Sequence, residues 1–148
     1  NPTIPAGGVG WRMNLQDAGE KVLEESRTFQ NRIYFTTYSP EEREYNPEYC
    51  VATVGLNRLY IVDAATGKPV VNFASPTSPP DDISDRSKEL AQGSIAPEAI
   101  FVFPTPDADP KNPNPPAVPP ICLVGLESCG SGLNNPPVRT YWEQRGSN

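Results

Sequence analysis

The chain has 148 residues, with 12 basic against 18 acidic side chains for a formal net charge of −6, and 19 prolines beside a hydrophobic fraction of 36%; one domain with a modest core and without long helices fits these numbers. No histidine is present, which excludes a Ser-His-Asp triad, a Cys-His dyad and a His-ligated zinc site. The basic residues are scattered singly through an acidic chain, against a nucleic-acid partner, and the longest apolar run, residues 99–103, is far shorter than the ~20 residues of a membrane span.

In chain order, five short runs read as strands: residues 11–15, 22–29, 32–38, 58–62 and 70–73. They are rich in β-branched and aromatic side chains and bounded by Gly, Pro and Asn. Gln30-Asn31 reads as a tight hairpin turn in which Asn31 takes a positive φ. Residues 39–50 form a charged, proline-bracketed insertion that no core strand accommodates, and its Glu41-Glu42-Arg43-Glu44 reads as a solvated turn rather than a ligand for a basic partner. In residues 58–62, Leu59 and Ile61 share one face while Tyr60 and Val62 share the other, so this strand should be central and covered on both sides.

The chain changes character near Ser75. Fourteen of the 19 prolines lie from Pro76 to Pro137, eight of them within residues 104–120. Residues 81–90 can hold one or two helical turns, capped by Asp82 or Ser84 and stopped at Gly93. Residues 100–103 and 121–124 read as short buried strands and residues 138–142 as a last one, while residues 104–120 read as an extended, polyproline-like surface loop.

Three cysteines occur, without a Cys-x-x-Cys pair. Cys122 and Cys129 are separated by six residues, a loop able to bring their Cα atoms within the ~4.4 to 6.8 Å that a disulfide needs. That bond suits an exported chain lacking helices, and leaves Cys50 free or paired outside the chain. No signal-peptide pattern stands near Asn1, so the sequence reads as a mature or cleaved product.

Leu59-Tyr60-Ile61-Val62-Asp63-Ala64-Ala65-Thr66-Gly67-Lys68 describes a strand, a tight turn and the start of the next strand. Asp63 accepts hydrogen bonds from the turn amides, Thr66 does so locally, and Gly67 supplies the left-handed residue. The same stretch is not a phosphate-binding loop, because Val62 stands where its first glycine belongs and Pro69 where Ser or Thr belongs. A calcium reading of Asp107, Asp109, Asn112 and Asn114 lacks a bidentate glutamate and carries Lys111 inside the loop. Trp11, Tyr141 and Trp142 can be read as a sugar-stacking set, but packing is the favoured role for aromatics at strand positions.

The turn stretch resembles the strand-turn-strand signature of quinoprotein-type β-propeller blades, except that Val71 occupies the position of the signature's tryptophan. More widely, Gly10-Trp11-Arg12-Met13-Asn14-Leu15, Gly19-Glu20-Lys21-Val22-Leu23, Arg32-Ile33-Tyr34-Phe35-Thr36-Thr37-Tyr38, Cys50 and the residues from Leu59 to Gly67 resemble the C-terminal propeller region of PilY-type proteins. Gln92-Gly93-Ser94-Ile95-Ala96-Pro97, Cys122-Leu123-Val124-Gly125 and Val138-Arg139-Thr140-Tyr141-Trp142 are similar to that region's closing segments.

This resemblance implies a mainly β fold with little helix, a partial β-propeller with a long proline-rich loop, too short to close a ring of blades: a propeller-blade-like segment over residues 1–75, then a proline-rich segment with short closing strands over residues 76–148. It implies a non-enzymatic component of a type IV pilus tip-associated protein, acting in pilus biogenesis, adhesion and twitching motility. The implied location is the cell surface at the pilus tip, the outer membrane or the periplasm. The implied partners are pilus subunits or minor pilins, the remainder of the parent protein or neighbouring copies, and a host-surface ligand. Calcium belongs to the family, but no clean Asp-x-Asp-x-Asp-Gly series supports it here, and no cofactor is expected. A periplasmic quinoprotein-like oxidoreductase and a secreted carbohydrate-binding β domain are the alternatives.

Overall fold

The computed structural model describes residues 10–40, 55–73, 75, 77–80, 83–92, 94–104 and 118–130. The insertion after Pro40, Cys50, most of the proline-rich loop with its acidic cluster, and the expected strand at residues 138–142 lie outside the described residues.

Among the described residues the fold is mainly β, with two antiparallel sheets and a single 3-10 turn at Ile83–Arg86. The first sheet contains β1 (Lys21–Val22), β2 (Arg27–Phe29), β3 (Arg32–Ser39), β4 (Leu56–Asp63) and β5 (Ser87–Leu90). β1 and β2 both pair with β3, opposite its end and its beginning respectively. Four residues, 23–26, therefore stand opposite two, Phe35 and Thr36, an extended bulge that splits the expected strand at residues 22–29. β1, β2 and the bulge together form one edge, so the sheet is a four-rung meander running edge, β3, β4, β5.

The turn between β2 and β3 is the expected one. Gln30 and Asn31 have φ of 49° and 59°, the pair of left-handed residues that a type I′ hairpin requires. β4 is central, between β3 and β5, and buried on both faces: Leu59 and Ile61 on one, Tyr60 and Val62 on the other.

The second sheet contains β6 (Ala99–Val102), β7 (Ile121–Val124) and β8 (Glu127–Ser128), in that order. One core joins the two sheets. Tyr34, Leu59, Ile61 and Leu90 from the first meet Ala99, Cys122 and Val124 from the second, with Ala96 and Cys129 beside them. Phe101 of β6 lies 4.8 Å from Phe29 and 4.9 Å edge-on from Tyr34, between ring centroids, the tilted and T-shaped contacts that aromatic quadrupoles favour. Full burial of a large apolar side chain, as for Leu59 and Ile61, contributes about 1.5 to 3 kcal/mol.

Three expectations are corrected. Residues 11–15 are not a strand: their alternation is real, but Trp11, Met13 and Leu15 lay their side chains onto Phe35, Tyr60 and Val62 without joining the ladder. Residues 70–73 likewise pack Val70, Val71 and Phe73 against the shared core outside any strand. Helical structure in residues 81–90 stops at Arg86, because Ser87–Leu90 pairs with residues 57–60 of β4; the ladder overrides a local preference that is weak in any case. In addition, β6 and β7 are buried on one face only. Among the described residues the strands close neither a barrel nor a propeller ring.

Candidate functional site

The residues singled out in the sequence fall into two places. At the end of β4, Asp63 organises the turn to Lys68. Its Oδ1 accepts from the Ala65 amide at 3.1 Å, the Thr66 amide at 2.8 Å and the Thr66 hydroxyl at 2.8 Å. Its Oδ2 accepts from Asn31 Nδ2 at 3.0 Å, while the Ala64 amide donates to the Asn31 carbonyl at 2.9 Å. The two turns at this end of the sheet are thereby tied together. The Thr66 hydroxyl, then the amide bonds, hold the Asp63 carboxyl below the usual aspartate range, because each donor stabilises the ionised form.

Gly67 closes the turn at φ +64°, donating its amide to the Asp63 carbonyl at 2.8 Å. A side chain there meets a second obstacle, since a Cβ would stand 2.5 Å from a ring carbon of Trp11. The Trp11 indole N–H donates to the Ala64 carbonyl at 2.9 Å. Trp11 thus covers the turn with its ring face and holds it with its polar edge, a role legible in neither residue alone. With its ring on Gly67, the residue serves packing.

Farther along the same face of the sheet lies a polar cluster that the sequence did not mark. Glu20 accepts from the amides of Gln16 at 2.7 Å and Asp17 at 2.8 Å, from the Tyr60 hydroxyl at 3.2 Å and from Thr37 Oγ1. Arg58 donates through Nε to Asp17 at 2.6 Å, within a pair whose side chains are 15% and 25% exposed. Burial, then the Glu20 charge, pushes the Tyr60 phenol up to about 12, so it stays a neutral donor. The cluster pins the chain before β1 onto the sheet. Its only sequence signal was Asp17-Ala18-Gly19-Glu20, a turn with an acid on either side.

The second marked place is the β7–β8 hairpin. Cys122 and Cys129 stand with sulfurs 1.98 Å apart and Cα atoms 5.3 Å apart, and the Cys129 amide donates to the Cys122 carbonyl at 3.0 Å. Both are buried in the core shared by the two sheets. Between the sheets, Asn57 is completely buried and donates through Nδ2 to the carbonyls of Gln92 and Ser94, each at 2.8 Å, while its Oδ1 accepts from the Ala96 amide at 3.1 Å. One amide thus satisfies three backbone groups of the passage from β5 to β6. A lone Asn in an apolar strand pattern was the sole hint of it.

The two marked places are not brought together: the turn belongs to the first sheet and the cysteines to the second. Among the described residues, no three of His, Cys, Asp and Glu come close enough to hold a metal ion, and no helix is long and apolar enough to cross a membrane. What these groups do chemically is accept and donate hydrogen bonds that fix loops onto a sheet. No protein-family model, curated protein or solved structure matches the chain.

Proposed function

We propose that the chain is a non-enzymatic part of a PilY-type, type IV pilus tip-associated protein, contributing one blade-like sheet to a β-propeller. It acts through surface contacts in pilus biogenesis, adhesion and twitching motility. The observation that carries this reading is the four-rung antiparallel meander of the first sheet, whose central strand ends in the Asp63–Gly67 turn. Propeller blades are four-stranded antiparallel sheets, and this turn sequence is where the resemblance to propeller blades is most specific.

The chemistry described above supports the non-enzymatic part. Asp63 is committed to turn donors and Glu20 to amides and hydroxyls, so these acids serve as structural acceptors. Partners on this reading are pilus subunits or minor pilins, the remainder of the parent protein or neighbouring copies, and a host-surface ligand, at an exported location.

Deletion of this region from the parent protein is the test. The reading predicts reduced surface piliation, twitching and attachment, with no loss of an enzyme activity. Normal piliation and attachment in the deletion strain overturn it, and turnover of a dye-linked alcohol by the purified chain with added quinone moves the assignment to a quinoprotein-like oxidoreductase.

A further inference from the structure

Residues 11–15, which cover one face of the first sheet, are fastened at their middle by a contact unlike their others. Met13 is the single methionine of the chain and packs with Trp11 and Leu15 on Phe35, Tyr60 and Val62. Its sulfur accepts from an N–H of Arg86 at 3.4 Å. Arg86 ends the 3-10 turn and is only 6% exposed. The neighbouring polar fastenings end on oxygen: the Trp11 indole on the Ala64 carbonyl, the Gln16 amide on the Tyr60 hydroxyl at 3.2 Å, and the Ser87 hydroxyl on Gln16 Oε1 at 3.1 Å.

A thioether is a weak acceptor, whereas a buried guanidinium bonds most strongly to an oxygen that carries negative charge. Sulfur is also the one atom in this contact that a simple reaction turns into such an acceptor. Met13 is half-buried rather than sealed in the core, and the Cys122–Cys129 bond suits oxidising surroundings.

We propose that Met13 is a site of reversible oxidation by hydrogen peroxide, with Arg86 as the receptor of the sulfoxide oxygen. A sulfur lone pair attacks one peroxide oxygen, the S–O bond forms as the O–O bond breaks, and the proton of the transferred oxygen leaves with the departing hydroxide as water. The sulfur loses the two electrons that reduce the peroxide. A sulfoxide ordinarily disrupts apolar packing. Here rotation of the unbranched side chain turns the new oxygen to the guanidinium, and the weak N–H···S contact becomes a charge-assisted N–H···O bond. Oxidation therefore holds residues 11–15 more firmly on β3 and β4. This holds whether or not the chain belongs to a pilus protein.

Peroxide treatment of the full chain tests it, with mass spectrometry of the peptide containing Met13 and urea unfolding before and after. The expected results are a gain of one oxygen at Met13, an unchanged or raised urea midpoint, and return of the original mass with a methionine sulfoxide reductase. Met13→Leu, treated alike, corrects for oxidation elsewhere. In Arg86→Leu the same oxidation should lower the midpoint. Met13→Gln places an amide oxygen near Arg86, and its midpoint should equal or exceed that of Met13→Leu. A midpoint that falls when Met13 is oxidised in the parent chain overturns the proposal, as does Met13 left unmodified under conditions that oxidise a peptide of residues 10–16. An equal response of the parent and Arg86→Leu overturns it too. If Arg86→Leu does not fold, Met13→Gln against Met13→Leu decides alone, and a lower midpoint for Met13→Gln contradicts Arg86 as the receptor.

Discussion

Asp63 carries more than its own turn. Three donors converge on one of its carboxylate oxygens and the Asn31 amide on the other, so the β2–β3 and β4 turns depend on one ionised group. Its folded-state pKa is lowered, and the sign of the pH effect follows. The stabilisation is complete above the ordinary aspartate value of ~3.9 and is lost as pH falls through the lower folded value. Asp63→Ala should destabilise the protein by about 1 to 3 kcal/mol at pH 7, the range for leaving hydrogen-bond donors without their acceptor. The gap between variant and parent should narrow below pH 4. Urea unfolding at pH 7 and pH 3 measures both, and an equal difference at the two pH values contradicts an ionised Asp63 as the organiser.

At the scale of elements, the β7–β8 hairpin is short: two residues of β8 pair with two of β7. The Cys122–Cys129 bond closes an eight-residue loop around it. A loop of that length corresponds to ~2.5 kcal/mol in the chain-entropy description. Reduction should therefore lower the urea midpoint by an amount equivalent to about 2 to 3 kcal/mol, and an unchanged midpoint means that the sulfurs are not bonded in solution. Legibility also divides at this scale. β3, β4 and the Gln30-Asn31 turn were readable because local pattern and turn chemistry agree there. Ser87–Leu90 was not, because Ser-Lys-Glu-Leu has no strand character of its own and becomes a strand only beside residues 57–60. Residues 11–15 misled in the opposite direction: period-2 alternation reports which side chains face the core, and that is equally true of an extended segment lying on a sheet. The exposed outer face of β6 and β7 was hidden because their apolar runs, 100–103 and 121–124, show no alternation that marks a side for solvent. Of the site, the Asp63 turn was written in contiguous residues, whereas Trp11 over Gly67 and Asn57 beneath residues 92–96 join positions 56 and 35 to 39 apart.

Across the whole molecule, a proline-rich, histidine-free chain builds a scaffold by stacking two small sheets on one core and fastening its loops with buried polar groups. Leu90 reaches that core from the sequence beyond residue 75, alongside Tyr34, Leu59 and Ile61 from before it, and β5 completes the sheet begun by β3 and β4. Residues beyond 75 thus complete a sheet and a core begun by residues before it. Such a scaffold offers exposed loops and edges to partners, and loops on a rigid frame are where binding surfaces usually lie. The central claim, that this surface works at the tip of a type IV pilus, is tested most directly by immunogold electron microscopy of sheared pili with antibody raised against the purified chain. Gold at filament tips, lost in a strain deleted for the parent protein, is the predicted result; filaments free of gold, with the antigen retained inside the cell, contradict it.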